Sequence, residues 1–169
     1  NNKGIIHNDI KSDNIVYDNK NIRLIDWGEV FIKSKKNLYF NQVIQFNLPF
    51  SNILFSRNFS KWYSKQLIVL KNKSSNITFN NYKNIAIKWI NYILELEGSH
   101  FDFIVSIFKN ILPTKLDNDI IEYVVGYIAS YIANIFKKYT NLSNNSINIH
   151  KYYREVYIKN IDIWGFLTF

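Results

Sequence analysis

The sequence predicts a mainly α chain with one small β-hairpin near its beginning, and three observations lead there. Two short β-branched runs, Ile15-Val16-Tyr17 and Ile22-Arg23-Leu24-Ile25, flank the polar turn cluster Asp18-Asn19-Lys20-Asn21, the pattern of a tight hairpin. Three apolar periodicities of helical spacing follow between Tyr82 and Lys138. The 169 residues are 47% hydrophobic and 17% aromatic, enough apolar surface for one packed core and too much for a disordered tail.

After the hairpin, residues 37–70 mix aromatics, Asn and Ser around Pro49 without a sustained period and read as irregular structure with short helices. From Tyr82 to Leu96 the residues Ile85, Trp89, Ile93 and Leu96 recur on one helical face, and Gly98 follows as a left-handed stop. Ser99-His100-Phe101-Asp102 resembles a capping box opening the next helix, with His100 a surface residue at its start. Phe101, Ile104, Val105, Phe108 and Leu112 form its apolar face before Pro113 ends it.

A third helix runs over about 117–138. Asp119 and Glu122 sit at its positive end, Lys137 and Lys138 at its negative end, and Ile121, Val124, Val125, Ile128, Ile132 and Ile135 form the buried face. The apolar run from Tyr123 to Phe136 is shorter than the roughly 20 residues a membrane span needs, so no membrane association is expected. Residues 141–148 read as a polar linker.

The composition narrows the chemistry. There is no Cys, hence no disulfide framework or thiolate metal site, and His7, His100 and His150 are too scattered to hold zinc unaided. Lys and Arg number 21 against 13 Asp and Glu, a net charge of +8. With Asn and Ile so abundant, the Lys excess reads as the bias of an AT-rich coding genome spread over a solvated surface, and nucleic acid is not expected as a partner. The chain begins at Asn1, contains no Met and shows no secretory leader. It reads as a cytoplasmic piece of something longer.

The informative segment is His7-Asn8-Asp9-Ile10-Lys11-Ser12-Asp13-Asn14, followed by Asp26-Trp27-Gly28. Asp9, Lys11 and Asn14 lie on the loop entering the hairpin and Asp26 on the loop leaving it, so antiparallel pairing brings the two loops to the same end. Phosphoryl transfer from ATP needs such a set. Asp9 orients the attacking hydroxyl, Lys11 stands against the transferring phosphoryl group, and Asn14 and Asp26 offer oxygens to Mg²⁺.

These residues resemble the catalytic and metal-binding loops of the protein kinase superfamily, whose templates are His-Arg-Asp-Leu-Lys-x-x-Asn and Asp-Phe-Gly. Near the other end, Asp162-Ile163-Trp164-Gly165 resembles the start of the long central helix of the kinase C-terminal lobe. The resemblance implies a serine/threonine kinase with ATP and Mg²⁺ as cofactors and a protein substrate. Asp9 and Lys11 would be catalytic, Lys11, Asn14 and Asp26 would hold the nucleotide, and Asn14 and Asp26 the metal. It also implies that His7 and Trp27 form a stacked internal pair beside Gly28, and that Asp162 bonds backbone amides of the catalytic loop. The Asn-rich, Ile-rich layout is similar to serine/threonine kinases of large DNA viruses, which would place the protein in host cytoplasm or virion.

The chain departs from the template in several places. Asn8 stands where the family has Arg, which puts control by a phosphorylated activation loop in doubt. Between Asp26 and Asp162 lie 135 residues, against very roughly 30 to 40 in the family, without an Ala-Pro-Glu. The expected layout is therefore an incomplete C-terminal lobe: catalytic loop, hairpin and metal loop in 1–32, an expanded activation segment or helical insertion in 33–157, and the start of the central helix in 158–169. No Gly-rich loop, strand Lys or partner Glu occurs, so an N-terminal lobe is missing and residues 1–169 alone are expected to be inactive. The alternatives are a small-molecule kinase of the choline or aminoglycoside type, which Lys11 and the Asp162 motif disfavour, and a catalytically dead pseudokinase acting as a binding module.

Overall fold

The structure is a computed structural model and describes residues 4–32, 43–74, 76–96, 98–112 and 119–168. The chain is mainly helical, with three small antiparallel ladders among the described residues. Strand β1 (Ile5–Ile6) pairs with β4 (Phe31–Ile32), and between them the hairpin strands β2 (Ile15–Tyr17) and β3 (Ile22–Leu24) pair Ile15 with Leu24 and Tyr17 with Ile22. The hairpin expected over 14–25 is present, its turn carrying Asn19 at φ +65°. Loops 7–14 and 25–30 are thus bracketed by a ladder on each side, which holds them next to each other.

Four helices make the bulk of the protein: α1 (Phe59–Lys73), α2 (Phe79–Leu94), α3 (Phe101–Ile111) and α4 (Ile120–Tyr139). The α2–α4 pair makes the largest interface between elements. Phe59 stacks on Phe136 at 5.8 Å and tilts against Trp89 at 5.1 Å, while the Trp89 indole donates to the Ile53 carbonyl at 3.0 Å. Burying that indole N–H requires such a partner, which is how a 3-10 stretch (Phe50–Phe55) becomes locked into the core.

Several local expectations need correction. Residues 37–42 lie outside the described residues, but 43–70 are far from irregular: all six residues of the 3-10 stretch are buried, and α1 follows. Its buried anchors Phe59, Tyr63 and Leu67 are only three, set among Ser, Asn and Lys without a side-chain cap, so the period is faint. The capping box lies at Thr78 and Asn81, whose side chains exchange bonds with each other's backbone N–H at 3.3 and 2.8 Å, and not at Ser99–Asp102. At α3 the N-cap is the exposed His100, and Ser99 Oγ accepts from the Phe101 amide instead.

Gly98 has φ +84°, but α2 already ends at Leu94 with Glu95 as its C-cap, so the glycine turns the chain beyond the helix and Leu96 is exposed past its last turn. In α4 it is Ile120 that is buried and Ile121 that faces outward, since one residue turns the helix by about 100°. Pro113, Asp117 and the linker between α3 and α4 lie outside the described residues. Residues 141–148 are no plain linker: β5 (Thr140–Asn141) and β6 (Ser146–Ile147) form a third ladder, and Lys71 of α1 donates to Leu142 O and Asn145 Oδ1 in its turn.

The last helical run begins at α5 (Ile149–Tyr152), passes through a π-turn (Tyr153–Tyr157) and continues as α6 (Ile158–Leu167). Asp162 therefore lies inside a helix and not at its start. Under this run a hydroxyl network is buried, with Ser51 Oγ 2.7 Å from Tyr152 OH and 3.1 Å from Tyr131 OH, and Tyr157 donating to Asn52 Oδ1 at 3.1 Å. Burial pushes the Tyr152 and Tyr157 hydroxyls well above the ordinary tyrosine range and Tyr153 up to about 12, so all three are neutral at ordinary pH. Among the described residues no helix is long and apolar enough to cross a membrane.

Candidate active site

Asp9 is the centre of the site. Its Oδ2 accepts from Asn14 Nδ2 at 2.9 Å and pairs with Lys11 Nζ at 3.0 Å, while its Oδ1 accepts from Asn47 Nδ2 at 2.7 Å. Asn14 Nδ2 also donates to the Asp9 carbonyl at 2.8 Å, closing the loop on itself. Partial burial works to raise the Asp9 pKa. The bonds from Lys11 and Asn47, the Lys11 charge and the bond from Asn14 outweigh it and hold the carboxyl below its ordinary 3.8. The group is thus ionised at neutral pH and fixed in orientation.

The loop is held from beneath by α6. Asp162 accepts the His7 amide on Oδ2 at 3.1 Å and the Asn8 amide on Oδ1 at 3.0 Å, the backbone contact that the resemblance implied for it. One turn further, Gly165 lies so close to the loop that a Cβ there would come within 2.7 Å of Ile10 Cβ and 2.8 Å of Ile10 O. Trp164 donates its indole N–H to the Phe46 carbonyl at 3.1 Å, fastening the residue next to Asn47. Three neighbouring side-chain positions of one helix therefore set both the loop bearing Asp9 and the segment that bonds it.

His7 is buried. Its Nε2 lies 3.0 Å from the Ile25 carbonyl, an acceptor only, which puts a proton on that nitrogen. Its ring meets Trp27 edge-on, with centroids 4.8 Å apart, and Trp27 is half exposed, so the pair is neither stacked nor internal. The Trp27 indole is turned to the Leu24 carbonyl at 3.0 Å, which holds the ring across its own turn. Asn8 adopts φ +67° and Asp26 φ +55°, left-handed conformations that Asn and Asp tolerate better than other non-glycine residues.

Asn14 and Asp26 reach the same end of the hairpin. The Asn14 carbonyl accepts from the Ile25 amide at 2.9 Å, and Asp26 is the next residue along. Asp26 is exposed, its Oδ1 taking only the Gly28 amide at 3.4 Å, while Asn14, with Nδ2 committed to Asp9, has Oδ1 as its remaining polar atom. An amide oxygen and a carboxylate are hard donors of the kind Mg²⁺ accepts, and that ion commonly takes one or two protein ligands beside waters and substrate phosphates. No cluster of three His, Cys, Asp or Glu suited to a metal exists among the described residues.

Beside Asp9 opens a hollow of about 470 Å³ whose lining includes Lys11, Asp13, Phe46, Asn47, His100 and Phe103. Phe46 and Phe103 meet edge-to-face at 5.1 Å on its wall. A larger hollow of about 810 Å³ between α2 and α4 contains no residue of the Asp9 loop.

Asn47 went unread in the sequence. It stands 38 residues from Asp9 in a stretch without period or motif, and the chain is so rich in Asn that one more carries no signal. Trp164 and Gly165 were readable only as part of the Asp162 motif. Comparison with family models, with curated proteins and with solved structures returns no match to this chain.

Proposed function

We propose that this chain carries the catalytic face of an ATP-dependent phosphotransferase acting on protein serine and threonine hydroxyls, arranged as in the C-terminal lobe of a protein kinase with a helical insertion. The observation that supports it most is the three-sided clamp on Asp9 by Lys11, Asn14 and Asn47, on a loop whose amides are fixed by Asp162. An ionised, oriented carboxylate accepts the hydrogen bond of an incoming hydroxyl and aims its oxygen at the phosphoryl group. Lys11, already beside Asp9, neutralises charge on that group as it transfers. Asn14 Oδ1 and the Asp26 carboxylate would hold Mg²⁺, which when bound neutralises the phosphates. The hollow beside Lys11 and Asn47 receives the acceptor, with Phe46 and Phe103 as its apolar wall.

The test is transfer of labelled γ-phosphate from Mg·ATP to mixed protein acceptors by a longer polypeptide containing this chain. Activity lost on Asp9→Asn and on Asp26→Asn is the expected result. Undiminished transfer after Asp9→Asn would remove the reading. Residues 1–169 alone are expected to show no transfer, and phosphorylation by them that Asp9→Asn abolishes would overturn that expectation.

A further inference from the structure

The net positive charge of this protein comes from one stretch. Residues 30–94 hold ten of the 21 lysines and arginines and none of the 13 acids, while the remainder carries eleven cations against those 13 acids. Helices α1 and α2 lie in that stretch. On α1, Lys61, Lys65, Ile68 and Asn72 are exposed at helical spacing, and on α2, Asn80, Asn84, Lys88 and Tyr92 recur every four residues, all exposed.

An aromatic ladder joins the two helices beside these stripes. Trp62 of α1 meets Trp89 of α2 at 4.8 Å, and Trp89 meets Tyr92 at 5.2 Å. Trp89, the middle of the ladder, is core and Trp62 is partly buried, whereas Tyr92 is 46% exposed, one turn from Lys88 on the same face. Of the other cations of these helices, Lys71 holds the β5–β6 turn, Lys83 lines the hollow between α2 and α4 with Asp119 and Glu122, and Lys73 is exposed at the end of α1. The nearest acid on either stripe is Glu95, at the C-cap of α2.

We propose that the exposed α1–α2 face binds single-stranded nucleic acid, at a place separate from the Asp9 site. Lys61, Lys65 and Lys88 meet backbone phosphates, Tyr92 offers a ring face on which a base stacks, and the amides of Asn80 and Asn84 supply donors and acceptors for bases and sugars. A lipid surface fits less well, because the amides of Asn72, Asn80 and Asn84 on the same stripes would lose water without gaining partners. An acidic peptide would use the lysines and leave Tyr92 and the amides idle. This face reverses the reading of the lysines as evenly spread.

The test uses the whole 169-residue chain and the fluorescence anisotropy of a labelled oligothymidylate of about 16 nucleotides. Affinity should fall with salt between about 50 and 200 mM with a logarithmic slope of about −2, as three phosphate contacts on a single strand require. The triple substitution Lys61→Gln, Lys65→Gln, Lys88→Gln should weaken binding at least tenfold and flatten that slope, while the corresponding Lys→Arg triple keeps both. Tyr92→Ala should cost about tenfold, and Lys20→Gln with Lys151→Gln should change nothing. Circular dichroism of each variant confirms that the fold is intact. No binding at low salt, unchanged affinity in the Gln triple, or equal competition by oligoglutamate or by phosphatidylserine vesicles would each overturn the proposal.

Discussion

The segment from β1 to β4 and the four-helix region are ordered by opposite means. Residues 5–32 form strands of two or three residues each, and in them only Ile6 and Ile10 are buried hydrophobics. Their order comes from polar ties, several of them long-range: Asp162 to two amides, Asn47 to Asp9, His7 to Ile25. The helical region instead buries a contiguous core in which Ile53, Phe59, Trp89, Ile128, Ile132 and Phe136 are almost wholly inaccessible. Damage to such a core is shared by the whole domain, whereas loss of one acceptor under a short loop stays local and falls on the chemistry.

That contrast can be broken most forcefully at Trp89. Truncation to Ala empties the centre of the aromatic cluster and orphans the Ile53 carbonyl, so thermal or urea unfolding should show a loss of about 3–5 kcal/mol for the domain as a whole. Asp162→Ala is expected to cost about 2–4 kcal/mol, since two buried amides lose their acceptor. Its signature is different: amide exchange should accelerate at His7 and Asn8 while α2 and α4 stay protected. Equal acceleration in those helices would show that the two regions are one cooperative unit.

Gly165→Ala sharpens the same point by steric means. The added methyl meets backbone and Cβ of Ile10, which cannot swing away as a flexible side chain would, so a loss of about 1–3 kcal/mol is expected. Chemical shifts should move along the Asp9 loop and not in α1.

The smallest effect is electrostatic. Because the folded pKa of Asp9 is depressed, its contribution is fully present above the unfolded value and is lost as pH falls through the folded value, below 3.8. In a carboxyl-detected NMR titration Asp9 should remain ionised at pH values where an unperturbed aspartate is half protonated. Asn47→Ala should move its midpoint upward. A midpoint at or above 3.8 in the unsubstituted chain would mean that the clamp does not form in solution.

What the sequence determined by itself was whatever depends on neighbours along the chain. The hairpin follows from two β-branched runs around a polar turn, and the ends of α4 from acids at one terminus and lysines at the other. The grouping of Asp9, Lys11 and Asn14 belongs here too, because five residues of loop suffice to fold Asn14 back on Asp9. The core side of α4 was legible too, since Val124, Val125, Ile128, Ile132 and Ile135 of the expected face are buried. Tertiary structure alone decided that 59–73 is helical on three buried anchors, and that Asn47 closes the clamp. The Asp162 bonds span 155 and 154 residues of chain. A motif can suggest such a contact, but no period or propensity encodes it, since its energy exists only once the core has brought α6 beneath the loop and removed the water that would otherwise serve those amides.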